Sequence, residues 1–192
     1  TFTPPVGTTT YEVEAELNGC TSTDQVIVTV NPLPNPVIDP VAYLCVAGNS
    51  ITLTANPAGG TFSANGIVAG TDDFDPNSAG VGTHTITYDY TDGNGCSNSA
   101  TADIEVNALP TIIVSTAATC SADLLTYSIS VDVSLGGVVT STSGTVTDNG
   151  SDIWTVDNIT SGTDIVITVT DANSCDATLS ITAPDCSCPP VD

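Results

Sequence analysis

Three carboxylates within four residues are the strongest candidates for metal chemistry in this sequence. Asp72, Asp73 and Asp75 offer hard oxygen ligands, which suit Ca²⁺. The stretch is not an EF-hand loop, because it lacks the glycine and the terminal glutamate of that motif. The negative field of the whole chain would concentrate divalent cations near these side chains. We therefore consider a Ca²⁺ site here, with a solvated loop as the alternative, and expect no other cofactor.

The sequence offers little for catalysis. His84 is the only histidine, and it lies at the start of an alternating, strand-like stretch. A histidine base needs a nucleophile and an orienting acid, and no GxSxG motif surrounds any serine. Most aspartates stand beside Gly or Asn in turns, where Asp is expected for local hydrogen bonding to the backbone. We predict that the chain is not an enzyme and has no catalytic residue.

The charge balance excludes two classes of partner. The 192 residues include 22 acidic side chains and no Lys or Arg, which gives a formal net charge of −22. Without cationic side chains the chain cannot neutralise phosphates, so we expect no nucleic-acid partner. An anionic membrane surface would repel it, and its apolar runs are too short to span a bilayer. We therefore expect no membrane insertion.

The cysteines indicate an oxidising compartment. There are seven, and no CxxC motif or Cys/His cluster groups them as a metal site would. Disulfides are therefore favoured, and they persist outside the cytoplasm. The odd number leaves at least one cysteine without a partner in the chain. The start has no initiator Met and no signal-peptide pattern, so we expect a processed protein or a part of a longer one.

Composition and periodicity predict an all-β fold. β-branched residues are abundant, and the common helix formers are scarce or absent. Apolar and polar residues alternate with period two on both sides of Asn-Gly and Asp-Gly turns, which is typical of β-hairpins. Many short strands with closely spaced turns indicate β-sandwiches of the immunoglobulin-like type.

An internal repeat determines the predicted domains. Asn-Gly-Cys at residues 18–20 recurs at 94–96, and a looser copy, Asn-Ser-Cys, stands at 173–175. Pro-containing linkers follow the first two copies and are expected to join tandem immunoglobulin-like sandwiches end to end. The predicted domains are a terminal hairpin at 1–33, full domains at 34–109 and 110–188, and the start of a further linker at 189–192.

The first copy is incomplete. Residues 1–33 contain only the last hairpin of a domain, and a lone two-stranded hairpin is marginally stable in water. Something outside these residues must complete it. Missing upstream sequence is one explanation, and strands lent by a neighbouring molecule are the other.

Matched positions in the repeat predict two disulfides. Cys45 and Cys120 precede the first strands of the two full domains, whereas Cys96 and Cys175 lie in their last hairpin turns. This predicts the bridges Cys45–Cys96 and Cys120–Cys175, each stabilising its domain by roughly 4 kcal/mol through loop closure. Cys20 matches Cys96, so its partner would lie before residue 1.

Two further cysteines leave several alternatives open. Cys186 and Cys188 are too close in sequence for an unstrained bridge within a strand. Pairing with a following domain, free thiols and a strained local ring are the three possibilities.

Several motifs resemble a known class of surface protein. The sequence GGTFS at 59–63, FDP at 74–76, the stretch 79–88 and DGNGC at 92–96 resemble immunoglobulin- or PKD-like repeat modules. Such modules build giant surface proteins of Bacteroidota that leave the cell through the type IX secretion system. Residues 165–178 are similar to the repeats of SprB-like gliding-motility adhesins, and residues 182–190 look like a junction to a further module.

The resemblance implies a role on the cell surface. It predicts a non-catalytic, structural and adhesive segment of a long extracellular stalk or filament, used for attachment or gliding motility. Neighbouring modules of the same chain or filament are the expected partners, together with surface glycans. The alternative function is a spacer or accessory module array in a secreted polysaccharide-degrading enzyme.

Overall fold

The computed structural model describes residues 2–187 and consists almost entirely of β-strands. The all-β class predicted from the sequence is therefore confirmed. Among the described residues the only helix is α1, Pro76–Ala79, which is four residues long. Within the same part of the chain, no helix has the length and apolar character that crossing a membrane requires.

Ten strands precede residue 108. In chain order they are β1 Gly7–Leu17, β2 Cys20–Val30, β3 Val37–Ile38, β4 Leu44–Cys45, β5 Ile51–Thr52, β6 Ala55–Asn56, β7 Thr61–Ser63, β8 Asp73–Phe74, β9 Gly82–Thr91 and β10 Ser97–Asn107. The strands that form the hairpins, β1 with β2 and β9 with β10, are long. The strands between the two hairpins have only two or three residues each.

Seven strands follow. They are β11 Ile112–Cys120, β12 Thr126–Val133, β13 Val138–Ser141, β14 Thr145–Asp148, β15 Ile153–Thr160, β16 Ile165–Thr170 and β17 Asp176–Ile181.

The strands form three small pairs and three larger sheets. β1 pairs with β2, β3 with β6, and β5 with β8. The larger sheets have the orders β4-β10-β9-β7, β11-β12-β15-β14 and β13-β16-β17. The registers are antiparallel, except that the short strand β4 runs parallel to the end of β10.

The first hairpin follows directly from its turn residues. Asn18 and Gly19 form a two-residue loop between Leu17 and Cys20, which are cross-strand partners. Both loop residues have positive φ, 54° and 77°, as a type I′ turn requires. This turn matches the right-handed twist of the strands, so the register continues without interruption from Leu17 back to Gly7.

The chain divides into two compact units, each built from separate segments. The first takes in the chain as far as Val41, Ile51–Phe74 and Thr85–Asp103. The second takes in Ala42–Ser50, Asp75–His84 and the chain from Ile104 onward. These units do not follow the predicted domains 34–109 and 110–188, because residues 42–50 and 75–84 belong with the second unit. The linker predicted at 189–192 lies outside the described residues.

The second unit has a core shared by two sheets. One face of β12 and one face of β16 are buried at alternate positions, as period-two alternation requires. Because the sheets β11-β12-β15-β14 and β13-β16-β17 bury these faces in one cluster, the arrangement is that of a β-sandwich. The buried cluster comprises Tyr127, Ile129, Val131, Val133, Val139, Val156, Ile159, Ile165, Ile167, Val169 and Cys186.

In the first unit, a tyrosine is held by main-chain groups. The Tyr88 hydroxyl donates to the carbonyl of Pro57 and accepts from the amide of Gly60, both at 2.7 Å. The ring of Tyr88 lies 4.6 Å from that of Phe62, its cross-strand partner. A side chain at Gly60 would meet the carbonyl of Asp89 and the Tyr88 ring at less than 3 Å, so glycine is needed there.

We expect Ile167→Ala to destabilise the protein by about 3 kcal/mol, because it removes fully buried methyl groups and leaves a cavity between the sheets. Val138→Ala, on the neighbouring strand but exposed, should change the free energy of unfolding by less than about 0.5 kcal/mol. Urea unfolding of both variants measures this. Equal losses would contradict the two-sheet core.

Candidate functional site

The structure shows which cysteines are bonded to each other. Cys45 is bonded to Cys175, with the Cα atoms 5.6 Å apart, and Cys120 is bonded to Cys186, with the Cα atoms 5.7 Å apart. Both bridges lie within the second compact unit. The predicted bridges Cys45–Cys96 and Cys120–Cys175 are therefore wrong.

Strand length explains the first error. Cys45 lies beside Asn107, at the end of β10, whereas Cys96 immediately precedes the start of that strand. The eleven residues of β10 span roughly 35 Å at about 3.3 Å per residue. A disulfide needs Cα atoms within about 7 Å, so Cys45 and Cys96 are too far apart.

Cys45 and Cys175, which form the first bridge, meet beside Asn107. The side-chain amide of Asn173 donates to the side-chain oxygen of Asn107 at 3.1 Å. This contact brings the turn that contains Cys175 to the end of β10, where Cys45 also lies. The bridge therefore crosses the boundary predicted at residues 109 and 110.

The second predicted bridge, Cys120–Cys175, is also wrong because of a strand that lies between two cysteines. Cys175 precedes β17, whereas Cys186 follows it and is buried in the core cluster. Cys120, at the end of β11, packs against that cluster and bonds to Cys186. Pairing of Cys186 with Cys120 is thus none of the three alternatives considered for Cys186 from the sequence. Cys188 itself lies outside the described residues.

Two of the turns that end in cysteine share one hydrogen-bond pattern. Oδ1 of Asp92 accepts from the amides of Asn94 and Cys96, both at 2.9 Å. Oδ1 of Asp171 likewise accepts from the amides two and four residues further on, at 2.8 and 2.9 Å. The pKa of Asp92 lies below its usual value, chiefly because the amide of Cys96 donates a hydrogen bond to its carboxylate. Hydrogen bonds from Asn94 and Gly95 lower the pKa further. A carboxylate at the start of each turn thus fixes the position of the cysteine at its end.

Among the described residues, two cysteines carry free thiols. Cys20 is exposed at the first hairpin turn, and Cys96 is partly exposed at the turn before β10. Both match Cys175 in the repeat, but only Cys175 has a partner within the described residues.

The structure does not group Asp72, Asp73 and Asp75 as a metal site. Oδ1 of Asp73 accepts from the hydroxyl of Thr52 at 2.5 Å. Asp75 instead caps α1, accepting from the amide of Asn77 at 3.0 Å and from the hydroxyl of Ser78.

The hydroxyl of Ser78, and with it the backbone amides of the helix start, lowers the pKa of Asp75. No three acidic, histidine or cysteine side chains within residues 2–187 lie close enough together to hold a metal ion. The structure therefore does not bring the three carboxylates of the predicted Ca²⁺ site together, and two of them accept hydrogen bonds from separate elements.

His84 contacts the helix that precedes its strand. Its Nε2 atom lies 2.8 Å from the carbonyl of Gly80, which ends α1. This hydrogen bond ties the start of β9 to the preceding helix.

Comparison with known proteins gives only distant similarities. No family model matches the chain, and no curated protein matches it. One similar structure is the SGBP-B protein of the mixed-linkage glucan utilization locus of Bacteroides ovatus, solved with a mixed-linkage heptasaccharide. It has a TM-score of 0.30 and 18% identity, over 81% of this chain and 48% of that one. Protocadherin gamma B7, cadherin domains 1–4, has a TM-score of 0.30 and 17% identity, over 92% and 57%. The chain thus spans about half the length of these structures.

Peptide mapping of the unreduced protein should find Cys45 linked to Cys175 and Cys120 linked to Cys186. Replacing Cys120 and Cys186 by Ser should lower the free energy of unfolding by roughly 4 kcal/mol, because the bridge closes a loop of 66 residues. Cys20→Ser, at an exposed free thiol, should change it by less than about 0.5 kcal/mol. A peptide linking Cys45 to Cys96 would refute this pairing.

We expect Ser174→Gly to stabilise the protein by about 0.5–1 kcal/mol. Ser174 has φ 62°, in the left-handed region, and the matching residue of the other turn is Gly95, with φ 80°. Gly95→Ser should have the opposite effect, which makes the two variants a matched pair in thermal or urea unfolding. A loss of stability for Ser174→Gly would mean that the serine side chain contributes more than its backbone strain costs.

Proposed function

We propose that the chain is a non-catalytic, structural and adhesive segment of a long extracellular stalk or filament. In this proposal tandem immunoglobulin-like β-sandwich modules, joined end to end by short Pro-containing linkers, serve attachment or gliding motility at the cell surface. Neighbouring modules of the same chain or filament are its immediate partners, and surface glycans are candidates for its adhesion target.

The observation that carries the proposal is the covalent closure of an all-β unit by two long-range disulfides. The bridges join cysteines 130 and 66 residues apart. Such bridges persist in oxidising, extracellular surroundings. Under tension, the Cys45–Cys175 bridge would also prevent the residues between its ends from being drawn out. This property suits a segment that transmits load between a cell and a surface.

The charge is compatible with the same role. A net charge of −22 keeps long acidic chains apart and soluble. The resemblance of residues 92–96 and 165–178 to modules of type IX-secreted surface proteins is what suggests attachment or gliding as the role.

Immunogold electron microscopy of the producing cells, with Fab fragments raised against this chain, tests the proposal. We expect label along extracellular appendages, and we expect the Fab fragments to reduce attachment or gliding by at least half. Fab fragments against an unrelated surface protein provide the control. Label confined to the cytoplasm would contradict the proposal. So would a parent polypeptide with a polysaccharide-degrading catalytic domain.

A further inference from the structure

The first hairpin has one apolar face and one polar face. Because Tyr11 is the cross-strand partner of Val26 and Val13 that of Asp24, odd residues of β1 share a face with even residues of β2. We call this surface the hairpin face. Its side chains, with Asp24 as the one charged member and Thr9 and Ser22 as further polar ones, are Thr9, Tyr11, Val13, Ala15, Leu17, Cys20, Ser22, Asp24, Val26, Val28 and Val30.

This apolar face is open to solvent. Val13, Leu17 and Val26 are 64%, 75% and 57% exposed. The opposite face carries Thr and Glu side chains, including Glu12 and Glu14. A strand pair with such alternation is built to bury one side, yet neither side is buried here.

The matching hairpin of the same chain buries its equivalent residues. When the turns are aligned at Cys20 and Cys96, Val28 and Val30 correspond to Ile104 and Val106. These two residues are only 2% and 1% exposed. Val28 and Val30 are only half-buried, so the same sequence pattern forms core in one copy and is incompletely covered in the other.

The segment that precedes the matching hairpin packs against Tyr88 of that hairpin. Residues 51–74 belong to the same compact unit as β9 residues 85–91, and they contribute the buried side chains Leu53, Phe62 and Phe74. They also contribute the main-chain groups of Pro57 and Gly60 that hold the Tyr88 hydroxyl.

The hairpin face has a tyrosine without such a partner. The hydroxyl of Tyr11 is buried and has no hydrogen-bond partner among the described residues. The ring of Phe2 stands edge-on to the ring of Tyr11 at 5.6 Å. A buried hydroxyl without a partner is costly, so an occupant that supplies a main-chain carbonyl would be favoured.

We propose that the hairpin face is a docking surface for a strand-forming segment of the type of residues 51–74. Its occupant has Leu and Phe side chains on short strands joined by Gly- and Ala-rich turns, and it supplies main-chain acceptors. Apolar burial drives the docking, because the exposed side chains that the occupant would cover include Val13, Leu17 and Val26. The glutamates of the opposite face stay in water. This inference does not depend on the function proposed above.

The test uses the full chain with Cys20→Ser, to prevent disulfide-linked dimers, and a synthetic peptide of residues 51–74, which contains no cysteine. Hydrogen–deuterium exchange of residues 7–30 is followed as peptide is added. We expect exchange to slow at least tenfold, with saturation. The double variant Val13→Thr/Val26→Thr, which keeps β-branched residues, should raise the apparent Kd at least tenfold.

Two further variants make the test specific. Glu14→Thr, on the opposite face, should leave the apparent Kd within twofold. Tyr11→Phe keeps the ring and should weaken binding at least threefold, because it removes only the hydroxyl.

Three results would overturn the proposal. The first is exchange unchanged by the peptide, and the second is equal peptide protection in the Val13→Thr/Val26→Thr variant. The third is protection that depends only on protein concentration, which would identify a second copy as the occupant. An unchanged Kd for Tyr11→Phe would overturn the hydrogen bond to Tyr11.

Discussion

The chain must hold together without a single cationic side chain from Lys or Arg. Every carboxylate therefore has to remain hydrated or accept hydrogen bonds from amides and hydroxyls, since lysine and arginine partners do not exist. Asp92 and Asp171 each accept two backbone amides in a hairpin turn, and Asp75 caps a helix. Cohesion is left to apolar burial and disulfides, which do not depend on charge.

The same carboxylates link local structure to the covalent framework. Asp171 fixes the turn whose last residue is Cys175, and Asn173 of that turn donates to Asn107. Because β4 runs parallel to the end of β10, Cys45 also lies beside Asn107. The bridge thus closes where three separate elements meet. A disulfide needs its two cysteines in a narrow range of positions, and the hydrogen bond from the amide of Cys175 to Asp171 fixes one of them.

This dependence explains what the sequence could and could not predict. The hairpins were predictable because Asn18–Gly19 and Asp92–Cys96 are local signals whose chemistry lies within a few residues. The disulfide partners could not be predicted in this way. The repeat shows which cysteines occupy matching positions in the sequence, but not at which end of a long strand each cysteine lies. Cys45 and Cys96 match the repeat's pattern, yet the length of β10 separates them.

The three aspartates of the predicted Ca²⁺ site do not converge for a related reason. Closeness in sequence does not make side chains converge when the backbone is extended, because successive side chains point to opposite faces. Asp73 lies in β8, opposite Thr52, and Asp75 stands at the start of α1. The change from strand to helix between them directs their oxygens to different hydrogen-bond donors. Spacing alone therefore predicts ligands well only inside a loop of known geometry.

Charge also opposes association between copies of the chain through the exposed apolar hairpin. β1 and β2 pair only with each other, so each has an open edge, and open edges invite pairing between copies. Glu12, Glu14 and Glu16 alternate along β1, and every copy carries the same large negative charge. Repulsion between copies therefore opposes edge-to-edge association over the Debye length, about 10 Å at 0.1 M salt. It acts much less on a short, weakly charged segment, so the charge that keeps copies apart leaves the hairpin face open to such a segment.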